Sequence, residues 1–455
     1  MTKREGINIV YALFLHLSNN TYTIKTMHQK GLLAISPIIV FLISYVAVSV
    51  TIGDFYKMPL AVALLIASSW AILTTRGHKL SHKINIFSRE AAQPNIMYMV
   101  WIFILAGAFA QLAKEIGAVD ATVNLTLQHL PHKMLIPGLF FAACFISLSI
   151  GTSVGTVVAL TPLAVELAQS SGGETAFFIA TVLGGAFFGD NLSFISDTTI
   201  AATRTQGCKM NDKFKANLWI ALPAAIVTLG IYTIIGLNST SISTSATTNP
   251  WLIIPYLIVI GTALAGINVT IVLTGGIVSA LIIAVADGHS LLDLFSFMGN
   301  GIDSMGNLVI ITLLAAGMLG LIKENGGINY ILKLLTSRIN GTRGAQAAIS
   351  LLVSIVNLCT ANNTVSIITV GSLSKDISER YGIDPRKSAS LLDTCSCIVQ
   401  CLIPYGAQTL LATSLAGISP VSPWAYLYYP WALSIMVIIS IAFRYPRYLR
   451  TDKRD

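Results

Sequence analysis

Long apolar stretches recur along the whole chain, at 31–52, 58–75, 96–114, 134–171, 175–206, 216–237, 250–265, 267–286, 305–322, 345–374, 388–416 and 424–444. A hydrocarbon core of ~30 Å needs about 20 apolar residues per helical span. Most of the stretches meet that length, so a bilayer is the only solvent that can take them together. Composition agrees: 54% of the 455 residues are hydrophobic and 11% are charged, against about 25% charged in soluble domains. A soluble enzyme of this length could not cover its surface with so few charges. The stretches 134–171, 175–206, 345–374 and 388–416 exceed one span and are interrupted by Gly, Pro or polar residues. They predict hairpins and broken helices.

The net charge of +8 comes from 28 Lys and Arg against 20 Asp and Glu. All the basic residues except Lys57, Lys114 and Lys133 fall in the N-terminus, in the connections 76–95, 204–215 and 323–343, around Gly382, or in the tail. The connections 238–249, 287–304 and 417–423 hold none. This asymmetry is the positive-inside bias of a membrane protein, and no nucleic-acid partner is implied. It predicts cytoplasmic termini, ten crossings, and hairpins at 134–171 and 345–381 that return to the side they enter. Polar, glycine-rich hairpin turns favour re-entrant loops over full crossings.

Each half, 31–240 and 250–445, then has five crossings and one hairpin, joined by an extracytoplasmic linker at 241–249. An odd number of crossings inverts the second half. The expected fold is therefore an all-α polytopic membrane protein: two inverted repeats of five spans plus one re-entrant hairpin each, with broken helices. Internal similarity points the same way. At an offset of 208, Thr152, Thr156, Val157 and Thr161 match Thr360, Thr364, Val365 and Thr369. At 210, Ala202, Thr203 and Gly207 match Ala412, Thr413 and Gly417. Inverted repeats with discontinuous helices are the architecture of many secondary transporters. Amphipathic stretches at 117–130 and 326–338 read as interfacial helices before the hairpins. Residues 1–30 form an N-terminal extension in which Met27 is a candidate alternative start, and 446–455 form a basic cytoplasmic tail.

Several chemistries are excluded. No CxxC pair exists, and no His stands near Cys395, Cys397 and Cys401, so these are small packing thiols rather than metal ligands. Every His lies outside the core spans, which leaves proton chemistry to carboxylates. GxxxxGK[ST] and HExxH are both absent. The chain is thus neither an ATP-driven pump nor a membrane hydrolase; no enzyme activity, cofactor or resident metal is expected.

An ionisable side chain at mid-membrane costs about 2.5–3.5 kcal/mol on insertion scales, so acids inside the apolar stretches are functional candidates. Four of the 20 qualify: Glu166, Asp190, Asp197 and Asp393. Glu166 lies near the end of a hairpin arm, within reach of the interface. Asp190 and Asp197 belong to the run GDNLSFISDT at 189–198, where Asn191, Ser193, Ser196 and Thr198 add amide and hydroxyl oxygens. Such a run cannot continue a lipid-facing helix, and its free carbonyls are tolerable only where they line a cavity. These oxygens also suit a small hard cation such as Na+. The plainer alternative is that the polar groups only bond helices together.

The matching break, CLIPYGAQ at 401–408, has no carboxylate but carries Pro404, Gly406 and Gln408. Asp393 lies about two turns earlier, either facing the site or pairing with Arg386 or Lys387. The hairpin tips SLSIGTSVGT (147–156) and NLCTANNT (357–364) complete the set. They offer Thr152, Ser153 and Thr156 on one side, and Thr360, Asn362, Asn363 and Thr364 on the other.

With its flanking SIGTSVGT and TIAATRTQG, the GDNLSFISDT run resembles the NhaC-type Na+/H+ antiporter family of the ion transporter superfamily, over roughly 31–445. Asp190, Ser193, Ser196, Asp197 and Thr198 map onto the family's GDK-L/M-SPLSDT, and Thr152, Ser153 and Thr156 onto its hairpin tip. The resemblance implies inverted repeats, re-entrant hairpins and elevator-like movement. Asn191 stands where the family usually has Lys, and Phe194 where it usually has Pro. Loss of that Lys would change the site's charge by one unit and leaves stoichiometry and substrate open.

The expected function is Na+/H+ exchange by alternating access in a bacterial cytoplasmic membrane. Protonation and Na+ binding compete for Asp190 or Asp197, and only the neutralised carrier moves. The alternative is a Na+- or H+-coupled transporter of a small organic acid or amino acid, its carboxylate held by hairpin-tip N–H groups. A homodimer is compatible with the sequence.

Overall fold

The computed structural model describes residues 31–45, 59–77, 79–129, 131–193, 196–237, 249–265, 267–336 and 339–446. The expectations for residues 1–30, for most of the 241–249 linker, for Phe194 and for the tail beyond Pro446 lie outside the described residues. Every regular element among them is helical, and nine helical segments are long and apolar enough to cross a membrane.

Two compact units divide the chain, one of residues 1–91 and 314–338, the other of 92–313 and 339–455. The first contains α1 (Gly31–Tyr45), α2 (Leu60–Thr74) and α3 (Leu80–Ala91). It also takes in the C-terminal part of α14 (Gly306–Glu324) and α15 (Gly327–Thr336). Its helices meet where glycine removes a side chain. Phe87 lies over Gly317, Glu90 over Gly320 and the Tyr330 ring over Gly31. The basic connection expected at 76–95 is therefore largely α3, a helix whose polar face carries the charges.

The second unit begins with α4 (Pro94–Glu115) and α5 (Ala118–His129), the latter filling the amphipathic stretch expected at 117–130. A hairpin follows, α6 (Leu135–Ile150) and α7 (Ser153–Ser170), then a broken helix, α8 (Thr175–Leu192) and α9 (Asp197–Gln206). Next come α10 (Met210–Leu237), α11 (Ile254–Leu264), α12 (Val269–Ala286) and α13 (Leu291–Ser304). The expected connection 287–304 is thus mostly helix. α13 packs on α4 at a backbone approach between Gly107 and Gly301 that no Cβ would fit. The second hairpin, α16 (Gly341–Thr360) and α17 (Asn363–Arg380), leads into the second broken helix, α18 (Pro385–Leu402) and α19 (Ala407–Ala416). The last helix is α20 (Tyr428–Ala442).

One register relates the two hairpin-and-break segments. α7, α8 and α9 start 210 residues before α17, α18 and α19 and have the same lengths, 18, 18 and 10 residues. The left-handed turns coincide as well: Gly151 with Ala361, Gly172 with Gly382, and Gly207 with Gly417. So does a bond from the first arm of each hairpin to the broken helix that follows it. Ser147 Oγ donates to the Ala186 carbonyl at 2.6 Å, and Asn357 Nδ2 to that of Ser396 at 2.7 Å. The offset of 208 expected for the hairpin tips is therefore corrected to 210. Thr152 corresponds to Asn362 and Ser153 to Asn363, so the threonine identities two residues away were coincidental.

The first hairpin lies along α8, with Gly185 and Gly189 letting α6 approach closely. A Cβ on Gly185 would sit 2.9 Å from the backbone of Phe140 and Cys144, and one on Gly189 would run into Ser147. Small residues serve this purpose in membrane helices, where apolar burial does not favour one packing over another. Across the segments, α7 packs on α19 and α17 on α9. The second arm of each hairpin thus meets the second half-helix of the other segment, as a two-fold relation requires.

Candidate functional site

A helix that stops inside a membrane leaves its last carbonyls without intrahelical partners. At the end of α8 these are filled locally. The Ser196 hydroxyl lies 3.0 Å from the Asp190 carbonyl, and Thr199 Oγ1 donates to that of Ser193 at 2.8 Å. Ser196 is also the N-cap of α9, its Oγ accepting from Thr199 N–H at 3.2 Å. Ser193 Oγ reaches back to the Leu148 carbonyl near the hairpin tip at 3.2 Å. Ser193 and Ser196 thus shape the break itself.

The Asn191 carbonyl takes two donors from α10: Lys213 Nζ and Asn217 Nδ2, each at 2.8 Å. Both also hold Asp393 Oδ2, at 2.7 Å each. Lys213 further donates to Thr199 Oγ1 at 2.6 Å, so its three N–H bonds are all used. Neither charged side chain is exposed. A cation at the C-terminal end of a half-helix also meets the negative end of its dipole. This corrects two expectations. Lys213 is not in a basic loop, and Asp393 pairs neither with Arg386, whose partner is Asp384, nor with Lys387, which bonds Ser440 and the Tyr445 carbonyl. Lys213 thus places a positive charge beside the Asn191 carbonyl. Asn191's own side chain turns away, to the Phe187 carbonyl and Tyr429.

Asp190, one turn from the end of α8, is 4% exposed. Its carboxylate meets the first hairpin tip. Ser153 N–H donates to Oδ1 at 2.9 Å, and Ser153 Oγ to Oδ2 at 2.5 Å. Ser153 is the first residue of α7, so its N–H is one of the free donors of that helix N-terminus. Gly151, left-handed at φ 73°, turns the chain to present it. Asp197 opens α9, where the helix dipole favours a negative charge, and its side chain is exposed.

Asp190 and Asp197 share the wall of a cavity of about 710 Å³. Thr152, Ser153, Thr198, Asn362, Asn363, Thr364 and Gln408 line it too. Both hairpin tips and both helix breaks therefore converge on one space. Thr156, Thr360, Asp393, Pro404 and Gly406 do not line it. Thr156 Oγ1 bonds the Thr152 carbonyl and Thr360 Oγ1 that of Asn362, while Gly406 caps α19. Sequence reasoning missed Gln400, Arg204, Tyr98 and Asn268 in the wall, as well as Lys213 and Asn217 behind it. Gln400 had a signal, since it stands 210 residues after Asp190. For Arg204 and Lys213 no local signal separates them from their basic neighbours.

Hairpin tips meeting broken helices around a buried carboxylate, in an all-helical chain of many spans, define a membrane transport protein. The chain belongs to the Na+/H+ antiporter family, whose model matches residues 13–237 and 237–446. Over 443 residues it is 20% identical to the malate-2H+/Na+-lactate antiporter of Bacillus subtilis, covering 90% of this chain and 94% of that one. It is 24% identical over 392 residues to the Na+/H+ antiporter NhaC of the same organism, covering 78% and 84%. The Alcanivorax borkumensis YdaH transporter structure aligns at 14% identity with a TM-score of 0.40, over 80% of this chain and 88% of that one.

Proposed function

We propose that this protein exchanges Na+ for H+ by alternating access, with Asp190 as the carboxylate the two ions share and Asp197 as its companion. The observation that carries this reading is the cradle of Asp190 by the hairpin tip, at the wall of a cavity that also holds Asp197. The carboxylate has two oxygens, and hydroxyl, amide and carbonyl oxygens stand near it to replace a cation's water. A proton on the same carboxylate removes the charge that binds Na+, so the ions exclude one another. Since Lys213 and Asp393 neutralise each other, the exchanging charge is left to the cavity acids.

The repeats of this reading are 31–240 and 250–445, inverted in the cytoplasmic membrane with the basic connections and both termini inside. A second reading is favoured by one feature. The cavity far exceeds a bare ion, and Arg204 stands in its wall, which suits an organic carboxylate travelling with the ion.

Everted vesicles with a pH dye test both. Na+ should collapse an imposed proton gradient in vesicles carrying the wild type, and Asp190→Asn should abolish the response. A full response from Asp190→Asn would defeat the assignment. A response to malate or an amino acid, with none to Na+ alone, would favour the second reading.

A further inference from the structure

Asp190 is wired to the second hairpin tip by a chain of hydrogen bonds that runs in one direction. It starts at Gln400, which occupies in the second segment the place Asp190 holds in the first. Gln400 Nε2 donates to the Ala361 carbonyl at 2.9 Å and to Gln408 Oε1 at 3.0 Å. A carbonyl only accepts, so Ala361 fixes which end of the Gln400 amide is nitrogen. Gln408 must then present its own nitrogen onward, and Nε2 donates to Ser153 Oγ at 3.0 Å. Ser153 receives that bond and has one proton left, which goes to Asp190 Oδ2 at 2.5 Å. Both glutamines are buried, Gln400 at 1% and Gln408 at 5% exposure, while bordering the cavity.

We infer that Gln408 and Gln400 are positioning residues for the exchanging carboxylate: they hold the Ser153 hydroxyl as a donor to Asp190 and so favour its ionised, cation-ready form over its protonated form. The inference rests on the reading of Asp190 as the shared carboxylate. A bond donated to the charged form favours that form, and each link polarises the next. When Asp190 takes a proton on Oδ2, two donors face each other, and the Ser153 proton has to turn away. The chain therefore opposes protonation from as far away as Ala361, at the tip of the other hairpin.

Other charged or titratable groups around Asp190 are Asp197 and Arg204 on α9, Asp393 and Cys397 on α18, Lys213 on α10 and Tyr429 on α20. Glutamine is neutral, so replacing it with methionine, of similar length and without a donor, leaves all of these charges as they are.

The test is the pH profile of Na+-driven proton movement in everted vesicles, with the Na+ KM measured at each pH. Gln408→Met should move the profile to higher pH by about half a unit and raise the Na+ KM near neutrality about threefold, the same shift expressed as proton competition. Gln400→Met, one link further away, should shift it less and in the same direction. Ser153→Ala should shift it at least as far, and adding Gln408→Met to Ser153→Ala should change nothing more. A fall in maximal rate with an unmoved pH profile in Gln408→Met and Gln400→Met would overturn the inference while Asp190→Asn still abolishes exchange. Exchange that survives Asp190→Asn would overturn the site reading and this inference together.

Discussion

Removing the ammonium group of Lys213 leaves Asp393 with a buried, unpaired charge and strips a donor from the Asn191 carbonyl. Breaking one side of a buried ion pair typically costs about 3–5 kcal/mol, whereas replacing both partners by apolar groups is often neutral. Lys213→Met should therefore lower the thermal unfolding midpoint in detergent strongly, and Lys213→Met with Asp393→Leu should recover most of the loss. If the single and double variants melt alike, the pair does not act as a unit. The resemblance to the family motif drew attention to position 191 but not to the cation 22 residues later that bonds its carbonyl. A count of charges along the chain assigns Lys213 to the loop it shares with Lys209 and Lys215. Only the start of α10 at Met210 turns its side chain inward, and sequence cannot fix a helix start to one residue.

At the scale of elements, the hairpins and breaks were legible because membrane helices punish interruption. Gly, Pro and runs of hydroxyl residues inside apolar stretches mark the places where backbone must find partners elsewhere. The register between the two segments was not legible, because the tips keep the same geometry with different residues. Gly151 and Ala361 occupy the same left-handed turn, at φ 73° and 47°. Alanine is strained there by roughly 1–2 kcal/mol and glycine is not. After the extra unfolded-state freedom of glycine is deducted, Ala361→Gly should stabilise by about 1 kcal/mol and Gly151→Ala should destabilise by a similar amount. Opposite shifts of the unfolding midpoint check this. Gly189→Ala should be worse than Gly151→Ala, since its Cβ runs into Ser147, and overpacking costs typically 1–3 kcal/mol.

For the molecule as a whole, charge asymmetry carries the assignment of sides. Cys208 lies in the short connection between α9 and α10, next to Lys209 and flanked by Arg204 on α9 and Lys215 on α10, and the orientation proposed above puts it on the cytoplasmic side. Among the described residues Cys208 is the one cysteine that is not buried, so an impermeant iodoacetamide reagent reports on it alone. Burial pushes the Cys208 thiol up to about 11, and the nearby Asp212 and Asp384 carboxylates act in the same direction. The thiolate is the reacting form. Below its pKa the thiolate fraction gains about tenfold per pH unit, so labelling should rise about a hundredfold from pH 8 to pH 10. An ordinary thiol near 8.5 would gain only about fourfold over that range. Everted vesicles should label with this steep dependence and right-side-out vesicles should not. Labelling from the outside alone would reverse the assigned sides, and a plateau above pH 9 would mean that the thiol is not held in its buried setting.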